Sequence, residues 1–216
     1  MYQPAHFVEK DADTLLAVMR AHPLATLMRG GAELAADLLP LEVERTGDGW
    51  RVSGHVARAN PLWREADGQP VLLLFHGPQA YVSPSWYPGK AQHGKAVPTW
   101  NYTVVQVHGR LRATQDPQWL RAFVTRLTEH HEGGRPMPWH VTDAPPDYLD
   151  AMLKAIVGIE IDVERVEGKF KLSQNRDAAD RTGVVLGLEA DAGLARQAQA
   201  DALAQAMQDA ERRRPR

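Results

Sequence analysis

Three stretches of this chain concentrate the residue types that hold a flat, anionic small molecule. The first is His55-Val-Ala-Arg58-Ala-Asn60-Pro61, where a strand pattern gives way to a short helical turn. Arg58 offers a planar fork of donors that pairs bidentately with phosphate, and the N–H groups of the following turn add positive partial charge. The same stretch also reads as a surface arginine beside a capping Asn60. The second runs Tyr81-Val-Ser83-Pro84-Ser85-Trp86-Tyr87-Pro88-Gly89-Lys90, then through Lys95 and Val97-Pro98-Thr99 to Trp100-Asn101-Tyr102. Aromatic rings with polar tips, stiffened by prolines and mixed with hydroxyls and lysine, suit a pocket for a planar ring bearing a phosphate arm; a core seam with an exposed loop would use the same residues. The third is Glu167-Gly-Lys-Phe-Lys-Leu-Ser-Gln-Asn-Arg176, a strand end with three cations followed by amides and a helix start near Asp177 or Asp180. Alternation sends Lys169 and Lys171 to one face and Phe170 to the other, so one face alone can meet a ligand.

Other chemistries lack their parts. The chain has no cysteine, which removes disulfides, thiol nucleophiles and thiolate metal sites. His130 and His131 are adjacent, so on a helix they diverge by about a hundred degrees and do not chelate one metal readily. There is no Gly-x-Ser-x-Gly elbow, no phosphate loop ending in Lys-Ser/Thr, and no Gly-x-Gly-x-x-Gly opening a helix.

The elements that must position these stretches follow from periodicity. Leu15, Leu16, Val18 and Met19 predict a first helix that stops at His22-Pro23. Strands are expected over 24–28 and 34–43, joined through Gly30-Gly31, and over 50–57 after the turn Gly47-Asp48-Gly49. Residues 61–65 read as a helical turn. Val71 to Phe75 is an apolar run suited to burial on both faces, followed by strand candidates at 80–83 and 100–114, with Gly109 as a possible bulge site. Asp116-Pro117 caps a helix carrying Trp119, Leu120, Phe123, Val124 and Leu127. A helix over 147–156 and an alternating strand over 158–171 complete an antiparallel α+β arrangement, one domain over 1–189. Beyond Glu189 the composition shifts to Ala, Gln, Asp and Arg, which predicts an Ala-rich helical tail over 190–216 with a basic end.

These motifs resemble those of the PaiB family of FMN-binding negative transcriptional regulators. The likeness runs from Met-Tyr-x-Pro-x-His-Phe at the start, through His55 to Pro61, Phe75-His-Gly-Pro78, Tyr81 to Pro88 and Val97 to Tyr102, to Glu167 to Arg176. The resemblance implies a split β-barrel of the pyridoxamine 5′-phosphate oxidase type, a homodimer with FMN near the subunit interface. It implies that Arg58 binds the FMN phosphate, with His55, Ala57 and Asn60 around it. Ser83, Ser85, Lys90 and Thr99 would supply further phosphate or ribityl contacts, Trp100 and Asn101 would flank the ring, and Trp86, Lys171 and Gln174 are expected among the cofactor-binding residues. A negative transcriptional regulator acting through bound flavin is the implied role; a flavin-dependent oxidoreductase acting on a small molecule shares the fold and cofactor.

Composition limits the partners. With 44% hydrophobic and 24% charged residues and a formal charge of −2, the chain has the balance of a globular protein and no overall basic field for DNA. Its cations lie in short runs around Arg58, around Lys169 and Lys171, and over 212–216, without a helix-turn-helix signature, so tight direct operator binding is not expected. No apolar run approaches the ~20 residues of a membrane span, and the first residues lack a secretory pattern, so a cytoplasmic location is expected.

Overall fold

The computed structural model describes residues 1–31, 33–47, 49–90 and 94–191; Asp48 and the tail beyond 191 lie outside the described residues. The chain forms two compact units, Met1–Pro78 with Thr103–Phe170, and Gln79–Tyr102 with the chain from Lys171 onward. Eight strands are present among the described residues: β1 (Val8–Glu9), β2 (Leu24–Arg29), β3 (Ala35–Pro40), β4 (Glu42–Thr46), β5 (Gly49–Ala57), β6 (Pro70–Val82), β7 (Thr99–Thr114) and β8 (Ile156–Lys171). The helices are α1 (Ala12–Ala21), α2 (Leu62–Glu65), α3 (Pro117–Glu132), α4 (Pro146–Lys154) and α5 (178–191). No helix among the described residues is long and apolar enough to cross a membrane.

The sheet runs β3-β2-β6-β7-β8-β5-β4, with β1 on β8, and every pairing of defined register is antiparallel. Its first and last strands are halves of one extended segment, residues 35–46, bent at Leu41. The expected single strand over 34–43 breaks here because Pro40 has no N–H for a ladder. Leu41 N–H instead donates to Pro23 O at 2.9 Å. The two edges of the sheet are thereby joined through the chain itself, which closes it into a barrel. Inside, alternate residues form one core: Val52 and Val56 of β5, Leu73 and Phe75 of β6, Val105 and Val107 of β7, Ile159 and Ile161 of β8. Phe75, Val105, Val107 and Ile159 are fully buried, so all four belong to the core of the chain.

Two further boundaries differ from the periodic reading. Residues 71–75 and 80–83 are parts of one 13-residue strand, since Pro78 sits at an exposed position where a missing donor costs little. Helix α4 stops at Lys154, because Ile156 is already paired with Ala57 in the β5–β8 ladder. The caps follow the sequence closely: Asp11 accepts from Thr14 N–H at 2.8 Å, and Asp116 from Gln118 N–H at 2.9 Å.

The second unit has its own small core of Val82, Tyr87 and Val184, with Trp86, Ala96 and Leu188 packed on it. Asp177 opens α5, accepting the Asp180 N–H at 2.8 Å. Buried Asp180 in turn accepts from Gly89 N–H at 3.0 Å, tying the helix to the proline-rich segment.

Candidate functional site

In the first unit, the end of β5 delivers the first motif. His55 is half-buried, its ring edge-on to Phe123 with centroids 5.8 Å apart, and burial pushes its pKa below the ordinary imidazole value. Ala57 is exposed at the last ladder position, opposite Ile156. Arg58 follows, and its guanidinium is engaged on three sides: Nε donates to Lys154 O at 2.6 Å, Nη1 to Gln115 Oε1 at 2.5 Å and Nη2 to Ile156 O at 3.1 Å. Three of five N–H groups are used, which leaves two. Asn60 caps the next turn, its Oδ1 accepting from Leu62 N–H at 2.9 Å while Nδ2 faces Asp37 Oδ1 at 3.4 Å. The Trp63 indole N–H closes the motif onto Arg58 O at 3.1 Å.

In the second unit, the other motifs meet. Lys171, at the end of β8, donates from Nζ to Thr99 Oγ1 at 2.6 Å and to the Trp100 carbonyl. Trp100 is 54% exposed and packs edge-on against Tyr81, itself 45% exposed, with centroids 6.2 Å apart. Asn101, one residue on, points the other way and is buried. It bonds Ser173, whose φ of 65° places a non-glycine residue in the left-handed region. Gln174 is exposed and accepts from Leu172 N–H at 2.7 Å. Ser83 caps a 3-10 turn over Pro84–Trp86, with its hydroxyl 2.7 Å from that of Ser85. Lys90 is exposed beyond this turn. Trp86 lies against α5: a Cβ on Gly183 would collide with the Trp86 carbonyl oxygen, and one on Gly187 with its indole.

The donor chemistry suits a phosphomonoester attached to a ring. In the second unit, the hydroxyls of Thr99, Ser83 and Ser85 and the Lys171 ammonium are donors of the kind that phosphate takes, and an exposed tryptophan face is the surface that a flat heterocycle takes; in the first unit, the remaining Arg58 N–H groups are donors of the same kind. Residues 1–165 match the family model described as "Putative FMN-binding domain". The chain belongs to this family. FMN is therefore its cofactor, and the family is the one that the motifs resemble. This FMN-binding-domain protein is 33% identical over 192 residues to protease synthase and sporulation protein PAI 2 of Bacillus subtilis, covering 88% of this chain and 89% of that one. It is 38% identical over 169 residues to an uncharacterised Aspergillus fumigatus protein, covering 63% of this chain and 65% of the other. The FAD and haem binding protein of Mycobacterium smegmatis superposes with a TM-score of 0.58 at 15% identity, over 82% of this chain and 78% of that one. That likeness establishes the fold as an α+β, mainly antiparallel split barrel.

Sequence reading missed the partners of Arg58 and the Asn101–Ser173 lock. Gln115, Lys154 and Ile156 follow Arg58 by 57 to 98 positions, and two of the three contacts use backbone carbonyls, which leave no trace in residue type. Ser173 carries a weak signal: it ends a strand before a Gln-Asn pair, where turn conformations concentrate.

Proposed function

We propose that this FMN-binding protein is a negative transcriptional regulator of the PaiB type, acting through its bound flavin or a protein partner rather than through tight contact with DNA. The observation that carries the flavin site is the Lys171–Thr99 bond beside the exposed Trp100 and Tyr81 rings. In this reading Lys171, Thr99, Ser83 and Ser85 hold phosphate or ribityl oxygens and Trp100 flanks the ring, with Trp86, Lys90, Asn101 and Gln174 shaping the segments that carry them. In the first unit, taken by itself, Arg58 has two N–H groups left for a phosphate, as the family resemblance implies, and His55, Ala57 and Asn60 border it. When bound, FMN supplies hydride or electron transfer; the chain supplies binding and orientation.

The regulatory half of the reading is supported by the Bacillus relative, whose name links it to protease synthase and sporulation. Exposure of Trp100 and Tyr81 favours a second reading, a flavin-dependent oxidoreductase, because an open ring surface can admit a small substrate. A cytoplasmic homodimer completes the proposal; its contact would be the apolar outer face of β2, β3 and β6.

Titration of FMN with the full chain, followed by flavin fluorescence, tests the site. Saturable quenching is the expected result, and fluorescence unchanged well above micromolar protein overturns it. Electrophoretic shifts on promoter fragments from the same genome test the regulatory route. Weak attraction with a dissociation constant around 10⁻⁴ to 10⁻⁶ M, lost on adding salt, is expected. Nanomolar, sequence-selective binding that survives removal of the residues beyond Glu189 would refute the indirect mode.

A further inference from the structure

We propose that a cleft in the first unit, between the start of α3 and the end of α4, is a second ligand site that takes a small monocarboxylate with an apolar body. The cleft encloses about 260 Å³. Its accessible apolar lining is Pro117, which is exposed, while Leu120 and Leu153 are only 2% and 6% exposed and form its buried floor. Arg58, Arg121 and Lys154 stand in its walls against the single carboxylate of Asp150, so three positive charges less one negative leave the lining at +2.

The geometry holds most of these groups in place before any ligand arrives. Arg121 is fixed by Asp150 at 2.6 Å, which bridges α3 to α4. Arg58 is fixed by its bonds to Gln115, Lys154 and Ile156. The Lys154 ammonium, by contrast, has no hydrogen-bond or ion-pair partner among the described residues, although its own carbonyl oxygen is engaged by Arg58. An organic carboxylate answers both halves of this surface. Its head pairs with Lys154 and the Arg121 guanidinium edge, while its body covers exposed Pro117 and the aliphatic stems of the cations. A hydrated inorganic anion would leave exposed Pro117 and the cation stems wet, and a neutral apolar molecule would strip water from cations without replacing it. The small volume limits the ligand to a single ring or a short chain.

The test is calorimetric titration of the full chain, loaded with FMN, with benzoate. Acetate serves as the anion without a body and benzyl alcohol as the body without an anion. Benzoate should bind at least tenfold more tightly than either, and Lys154→Met, which removes the charge but keeps the length, should weaken it about tenfold, the loss of one charge-assisted hydrogen bond. FMN affinity should not change in that variant. No binding of benzoate up to about 10 mM, equal affinity for benzyl alcohol, or an unaltered Lys154→Met titration would each overturn the proposal. Displacement of benzoate by FMN would merge the cleft with the flavin site and overturn it as a separate one. Neither Lys154 nor Arg121 is a proposed flavin contact, so the same titration on flavin-free protein decides the cleft even if FMN fails to bind.

Discussion

Asn101 and Ser173 are bonded twice, from Asn101 Nδ2 to Ser173 Oγ at 3.0 Å and from that hydroxyl back to Asn101 Oδ1 at 3.3 Å. Both side chains are buried, and Ser173 sits at φ 65°, a conformation that costs an L-residue about 1 to 2 kcal/mol. The bond therefore offsets backbone strain at the turn that follows Lys171. Asn101→Ala leaves the hydroxyl buried without its partner and should lower stability by about 1 to 3 kcal/mol. Adding Ser173→Gly removes both the orphan hydroxyl and the strain, and should restore most of the loss. Chemical denaturation of the two variants checks this; a double variant no better than Asn101→Ala would show that the pair is not the lock.

Arg58 is the residue for which stability and binding must be separated. Arg58→Ala removes donors from Gln115, Lys154 and Ile156, and should lower stability by roughly 1.5 to 3 kcal/mol, the range for charged hydrogen bonds. If its two remaining N–H groups also hold phosphate, FMN affinity falls ten- to a hundredfold as well. Thermal unfolding and flavin titration on the same variant give the two numbers. Lost stability with unchanged affinity would confine Arg58 to a structural role.

Two groups give stability a dependence on pH, with opposite signs. Burial pushes the Glu42 carboxyl above its ordinary value, against the opposing pull of Arg126, so the folded state binds that proton more tightly and loses stability as pH rises through the raised value. Burial depresses His55, so the unfolded chain takes the proton first and stability falls as pH drops below the ordinary 6.5. Glu42→Gln removes the first penalty. Its partner Arg126 lies 3.6 Å away with 42% of its side chain exposed. The variant should melt higher at neutral pH, with the gap closing as pH falls toward the ordinary carboxylate range. A melting temperature that drops at pH 7 would mean that the ion pair outweighs the burial.

Local signals account for most of the elements. The Asp116-Pro117 start of α3, the Asp11 cap of α1 and the alternating β7 and β8 all obey rules that operate within a few residues. What periodicity cannot carry is long-range closure. Joining the sheet edges through Leu41 depends on a bond to Pro23, and nothing in either residue type announces it. The site divides the same way. Thr99 and Trp100 were legible in one dense motif and Lys171 in another, and what the sequence did not show is that the fold brings them within hydrogen-bond distance. The two-sided demand on Asn101 was not legible: alternation turns it inward between exposed Trp100 and half-buried Tyr102, so it supports the loop instead of presenting its amide beside the indole.

Gly183 and Gly187 stand one helical turn apart against Trp86. In a helix, replacing glycine by alanine ordinarily gains about 1 kcal/mol. At Gly183 the new methyl would strike a backbone carbonyl, which no side-chain rotation relieves, and overpacking costs about 1 to 3 kcal/mol. Gly183→Ala should therefore lower the hydrogen-exchange protection of 178–191 despite its better propensity. Increased protection would place Trp86 away from this helix in solution.

The outer face of β2, β3 and β6 is apolar. Register sets Leu38, Thr26 and Leu74 in one cross-strand row and Ala36, Met28 and Leu72 in the next. Leu38 is 66% exposed and Leu24, at the end of the same face, 58%, while Leu72, Leu74 and Met28 are half-buried. On β7 and β8, by contrast, the outward residues pair as Arg112–Asp162 and Arg110–Glu164, the arrangement of a solvated face. An apolar face over three adjacent strands beside a charged one is what a two-fold contact leaves on a lone subunit, because a self-complementary patch buries its own copy. Light scattering at micromolar concentration should give twice the mass of the 24.0 kDa chain. Leu38→Asp should barely affect the fold of the subunit, since the side chain is exposed, yet it would bury an uncompensated carboxylate in the contact. At a cost on the order of 2 kcal/mol or more, the dimer should weaken at least about thirtyfold. A monomeric mass for the unaltered chain, or a Leu38→Asp dimer as tight as the parent, would remove this face from the interface.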